Sequence, residues 1–176
     1  MNSIRPAYDD VGPDEYYRQH GGSYRNPHER AVAAALTRAV AEWSLDVSHV
    51  LDLACGSGEA TLTLRACGAD LVDGIDPYTA DAYLARTGLI AEPLTFEMIA
   101  AGGLFGRRWS LIVCSYAMHL VAESRLPLLA RRLADNTDHL VIVAPHKRPA
   151  LQPTWGWTLA DSFVSSRVHV RHYIAR

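Results

Sequence analysis

From Val50 onward, apolar runs of strand length alternate with stretches whose apolar residues recur at helical spacing. That alternation predicts an α/β chain, a Rossmann-like doubly wound and mainly parallel sheet with helices on both faces and an antiparallel C-terminal strand. Upstream, Asn26-Pro27-His28-Glu29 has a cap residue, a first-turn proline and an acid in the order that opens a helix. Val32, Leu36, Val40 and Trp43 then share one apolar face. The first strand is expected to run from Val50 to near Ala54, with a helix from about Glu59 to Cys67. A second strand ends on Asp76 and a helix from Thr79 to Arg86 follows. Alternating Leu94, Phe96 and Met98 predict a third strand, and Trp109 to Ser115 a fourth. Ser124 is placed to cap a helix carrying Leu126, Leu129 and Leu133, and His139 to Ala144 form the fifth strand.

Beyond Ala144 the pattern predicts a loop, a short helix near Trp157 to Phe163 and one last strand. In that strand Val168, Val170 and Ile174 alternate with His169, Arg171 and Tyr173. The tail looks short for two antiparallel members. At the other end, residues 1 to 26 are turn-rich yet carry Tyr16, Tyr17, His20 and Tyr24, more aromatic character than a solvated tail needs. This segment is expected to fold over something.

Composition narrows the class. At 176 residues the chain is sized for one domain, 1–176, with residues 1–27 as a lid segment and 28–176 as the core. It is 49% hydrophobic and 20% charged, the balance of a soluble enzyme. Its longest apolar runs are strand-sized and no apolar leader follows Met1, so no membrane association and a cytoplasmic location are expected. A net charge of −2 with scattered basic residues argues against nucleic acid as a partner. Cys55, Cys67 and Cys114 are odd in number and lack C-x-x-C spacing, and no histidine pair has H-E-x-x-H spacing, so neither a disulfide framework nor a metal is expected. A small-molecule substrate fits best, with the chain a monomer or homodimer. Of 17 basic residues, Lys147 is the only lysine.

The chemistry concentrates in Val50-Leu51-Asp52-Leu53-Ala54-Cys55-Gly56-Ser57-Gly58, a strand that runs straight into a glycine turn. Glycine there permits positive φ and lets a ligand lie on the backbone. A dinucleotide fingerprint starting at Gly56 would need glycine or alanine at position 61, where this chain has Thr61. A second landmark, Gly74-Ile75-Asp76-Pro77, ends the next strand on a carboxylate able to accept two ribose hydroxyls.

The acidic residue Asp52 before the A-C-G-S-G turn, followed by G-I-D-P, resembles the first two motifs of class I S-adenosylmethionine-dependent methyltransferases. The stretch S-Y-A-M-H-L after the fourth strand, the P-H-K-R-P turn and the aromatic segment before the first helix resemble a small single-domain group of that family. The one departure is Ala54, where many members carry glycine. The resemblance implies S-adenosyl-L-methionine as cofactor, S-adenosyl-L-homocysteine as product, and methyl transfer by in-line displacement to a small acceptor. It implies cofactor contacts from Asp52, Ala54, Cys55, Gly56, Ser57, Gly58, Asp76, Pro77, Tyr78, Ser115 and Tyr116, with Tyr17 and Tyr24 on the lid. Glu97, Met98 and Ile99, after the third strand, would lie where the family contacts adenine, although simple core packing suits Met98 and Ile99 equally.

Ligands of open α/β sheets bind beyond the carboxyl ends of the strands, which makes the same rim the acceptor site. The residues expected there are Tyr16, His20, Tyr116, His119, His146, Lys147 and Arg148. Lys147 and Arg148 could pair with a carboxylate or phosphate on an anionic acceptor. If the acceptor must lose a proton, His119, His146 or His20 is the candidate catalytic base, since imidazole titrates near neutrality. The sequence leaves open two other uses of the same cradle, a cyclisation or elimination of the cofactor and a catalytically silent binding module.

Overall fold

The computed structural model describes Glu15, residues 20 to 23 and residues 25 to 176. Its backbone follows helix α1 (Glu29–Glu42), β1 (His49–Leu53), α2 (Glu59–Ala66), β2 (Leu71–Ile75), α3 (Ala80–Thr87) and β3 (Ala91–Glu92). Then come α4 (Phe96–Ala100), β4 (Leu111–Ser115), α5 (Leu126–Ala134), β5 (His139–Ala144), β6 (Trp157–Ser165) and β7 (Val168–Ala175). One seven-stranded sheet has the order β3-β2-β1-β4-β5-β7-β6. The first five strands are parallel, and β7 pairs antiparallel with both β5 and β6. Among the described residues no helix is long and apolar enough to cross a membrane.

Side-chain alternation along the strands divides the core between the two faces. On one face Val50, Val113, Val141 and Val170 pack against Val32 and Leu36 of α1 and Leu64 of α2. On the other, Leu51, Leu53, Ile112, Ile142 and Tyr173 meet Leu126, Leu129 and Leu133 of α5. A helix layer on each face is what near-continuous apolar strands require.

Three local expectations are corrected. The stretch Leu94 to Met98 is not a strand: β3 stops at Glu92, and Pro93 has no N–H with which to extend the ladder. The Thr95 hydroxyl then accepts the Met98 N–H at 3.2 Å and caps α4, so a cap overrides the apolar alternation. The expected helix from Trp157 to Phe163 is strand β6, begun after Gly156 turns at φ 90°. The tail therefore holds both antiparallel members, and it accommodates them because only Ser166 and Arg167, both at positive φ, separate β6 from β7. Finally, helix α5 begins after Arg125 with no side-chain cap, so Ser124 does not cap it, and Pro127 occupies its first turn.

Candidate functional site

A cavity of about 630 Å³ opens beyond the carboxyl ends of β1, β2 and β4. Its floor includes Ala54 and Gly56 from the first exit, Asp76 to Thr79 from the second, and Ser115 to Ala117 from the fourth. Leu94 with Phe96 and Glu97 of α4 line one side, and Leu120, Val121 and Leu128 of α5 another. Arg125 and Glu97, both on the lining, form an exposed ion pair across the mouth.

The glycine turn takes its shape from left-handed backbone. Ala54 stands at φ 57°, Gly56 at 55° and Gly58 at 88°. A Cβ on Gly58 would come within 2.4 Å of the Thr87 methyl, so α2 can start only on glycine. Ala54, at the position where a glycine would be expected, carries the strain of an L-residue in this region, and Tyr116 on the same rim does so too, at φ 57°. Tyr116 is held by its N–H on the Val143 carbonyl at 2.8 Å and by His28, stacked on its ring at 5.1 Å.

Asp76 ties the turn to the second strand. Its carboxylate accepts the N–H groups of Gly56 at 3.1 Å, Tyr78 at 2.8 Å and Thr79 at 3.1 Å. Three of roughly four acceptor positions on an ionised carboxylate are thereby used, leaving about one toward the cavity. Thr79 returns a bond from its hydroxyl to the Gly56 carbonyl at 2.8 Å. The two sequence landmarks are thus one hydrogen-bonded unit.

Asp52 lies behind this unit and does not line the cavity. It is 1% exposed, and one oxygen accepts both the N–H and the hydroxyl of Thr61, at 2.9 and 2.7 Å. The other oxygen is buried without a hydrogen-bond partner among the described residues. Burial pushes its carboxyl up to about 7, opposed by the Thr61 hydroxyl and reinforced by Glu59 and Asp76. Cys55, Ser57 and Gly58 also sit beneath the lining.

Several contributors had no signal in the sequence pattern. Tyr83 of α3 reaches Thr61 at 3.0 Å, and a Cβ on Gly74 would strike its ring within 2.5 Å. Glu59, 6% exposed, accepts the Asn26 N–H at 3.2 Å and faces Arg86, which also meets Glu29. These contacts anchor the start of α1 beside the cavity. Gly21 belongs to the same border, since a Cβ there would overlap the Tyr78 carbonyl.

The remaining expected site residues separate into groups. Pro77, Tyr78, Glu97, Ser115 and Tyr116 line the cavity. Met98 is exposed outside it and Ile99, 1% exposed, belongs to the core. His119 lines a neighbouring groove of about 460 Å³ with Arg148 and Trp155, and its ring meets that of His146 edge-on at 5.8 Å. Arg148 pairs with Glu123 at 3.5 Å, both well exposed, while Lys147 projects from the loop after β5. His20 is exposed just before the short turn Gly21–Ser23. Tyr16, Tyr17 and Tyr24 lie outside the described residues, and among the described residues no three His, Cys, Asp or Glu side chains are grouped to hold a metal.

No protein-family model matches the chain. An uncharacterized protein of Schizosaccharomyces pombe is 29% identical to it over 94% of this chain and 89% of its own length. Among solved structures, the N-methyltransferase NodS from Bradyrhizobium japonicum, in complex with S-adenosyl-L-homocysteine, superposes with a TM-score of 0.66 at 16% identity, covering 99% of each chain. Magnesium protoporphyrin IX methyltransferase from Synechocystis, with bound S-adenosylmethionine, gives 0.64 at 17% identity over 98% of this chain and 95% of that one. The chain therefore has the fold of the class I S-adenosylmethionine-dependent methyltransferases, the group that its glycine turn and strand-end aspartate resemble.

Proposed function

We propose that this protein is a methyltransferase that uses S-adenosyl-L-methionine to methylate a small molecule. The observation that carries the reading is the joining of the glycine turn to Asp76 at the floor of a cavity at the fold's strand exits. Its volume falls within the roughly 300–1,000 Å³ of small-molecule sites. The residues suit such a cofactor. The bare backbone at Gly56 allows close approach, Asp76 keeps about one acceptor position toward the cavity, and the orphaned Asp52 oxygen beneath the turn favours a cationic group nearby.

When bound, the cofactor supplies an electrophilic methyl on a sulfonium that departs as a neutral thioether. The protein's own work is then alignment, which in favourable cases lowers a barrier by up to about 7–11 kcal/mol. Gly56 and Asp76 would hold one end and the apolar wall of Leu94 and Phe96 would take the adenine. Tyr116, locked by its left-handed backbone and by His28, would fix the rim over the reacting atoms. His119 stands at the adjoining groove with His146 against its ring, where an acceptor proton could be received.

Calorimetry with S-adenosyl-L-homocysteine tests the proposal. One site is expected, and Asp76→Ala should weaken it more than tenfold while circular dichroism stays native. No heat of binding from the parent protein would refute the assignment.

A further inference from the structure

The loop leaving β5 gathers positive charge, of which only Arg148 meets a carboxylate, that of Glu123. Ala144 pairs with His169, and Ile142 with Arg171, across the β5–β7 ladder. Both β7 residues therefore sit under the loop that carries His146 and Lys147. Arg171 is 7% exposed, and it donates to the carbonyl oxygens of Lys147 and, at 3.4 Å, of His146. Its Nε is buried with no hydrogen-bond partner among the described residues, and burial lowers its pKa. Among the described residues His146, Lys147, His169 and Arg171 take part in no ion pair. Elsewhere, by contrast, Arg86, Arg107, Arg108 and Arg125 each meet a carboxylate.

A buried cation satisfied only by carbonyls, beneath further basic groups, is costly to keep in a folded protein. His169 senses that field. Burial first, then Arg171, Lys147 and His146, depress its imidazole pKa. β6 sets only Val164 opposite it, and Tyr173, four residues along β7, accepts the Leu151 N–H on its hydroxyl oxygen at 3.3 Å. No acid offsets the cluster from either element.

The cluster is also in the right place. Strands lie about 5 Å apart, so the end of β5 and the start of β7 stand roughly 5–10 Å along the rim from the β4 exit that lines the cavity. His146 links the cluster to the groove beside the cavity through its edge contact with His119. We propose that His146, Lys147 and His169, set over the buried Arg171, form an oxyanion subsite that takes a carboxylate or phosphate group of the methyl acceptor. Lys147 supplies a mobile ammonium with three donors, the imidazoles supply directional donors, and Arg171 fixes the loop by its carbonyls. The subsite rests on the methyltransferase reading for the word acceptor; its anion binding does not.

The test is an NMR titration of the histidine rings in the cofactor-free protein with phosphate, acetate or chloride at matched ionic strength. Phosphate or acetate should saturably raise the pKa of His169, because a bound anion offsets the surrounding cations. The more potent anion identifies the group recognised. Lys147→Ala should weaken that binding about tenfold or more, as expected for loss of a charge-assisted hydrogen bond. An equal response to chloride, a silent His169, or an undiminished affinity in Lys147→Ala would overturn the subsite. Failure of S-adenosyl-L-homocysteine to bind the parent protein, with anion binding intact, would instead remove only the methyltransferase reading.

Discussion

At Asp52 one carboxyl, wholly buried, fastens α2 to the first strand through Thr61. Its pKa, raised from 3.8 to about 7 chiefly by burial, gives the protein a definite pH response. Between about pH 4 and 7 the folded state retains a proton that the unfolded chain has released, so this group's contribution to stability falls as pH rises. His169 and His172 act the other way: their lowered pKa values make stability rise with pH as the unfolded imidazoles deprotonate. The informative quantity is therefore the difference from Asp52→Asn, which keeps an acceptor for Thr61 and cannot ionise. Urea denaturation should show the parent losing stability relative to the variant from pH 5 to pH 8. Parallel curves would mean that Asp52 stays ionised throughout. At this scale the sequence made Asp76 and the glycine turn legible, because both require particular residue types at one place. It did not reveal that Asp76 grips the turn itself, nor that His169 and Arg171 lie beneath Lys147. Those relations depend on strand register, which no local pattern records.

Helix α4 and strand β6 show where local pattern and tertiary context part. Leu94, Phe96 and Met98 alternate as a strand would, yet Pro93 ends the ladder and Thr95 starts a helix. That moves Leu94 and Phe96 onto the cavity wall and turns Ile99 into the core. In β6 the decisive residue is Trp157, fully buried, whose indole N–H donates to the Ala130 carbonyl in α5 at 2.7 Å. This side chain, with Tyr173 of β7, thus docks the C-terminal hairpin against the helix that borders the cavity. Trp157→Phe removes the donor and leaves the carbonyl enclosed, which should cost about 1–3 kcal/mol, with a further loss from the smaller ring. Chemical denaturation measures it. A change below about 0.5 kcal/mol would show that the hairpin does not depend on that bond.

Across the whole molecule, stability should be graded along the sheet. β4 and β5 are paired on both sides, whereas β3 has two residues and β6 forms the opposite border. Amide hydrogen exchange should be slowest in Leu111–Ser115 and His139–Ala144 and fastest in β3 and β6. Uniform protection from border to border would contradict this gradient. The parallel character of the sheet was implied by the sequence through its alternation of runs, although the third strand was placed too late and the strand order was not read; the antiparallel pair was only half visible, because β6 hides its strand character behind an exposed, polar middle.

The antiparallel run of β7 has a practical corollary. It begins beside Ala144 at the cavity end of the sheet and finishes with the Ala175 N–H on the Asp138 carbonyl, at the far end. Arg176 therefore points away from the cleft, while the approach to α1 is clamped beside it by Glu59 and Tyr116. Anchoring the protein to a sensor chip through Arg176 leaves the mouth facing solution.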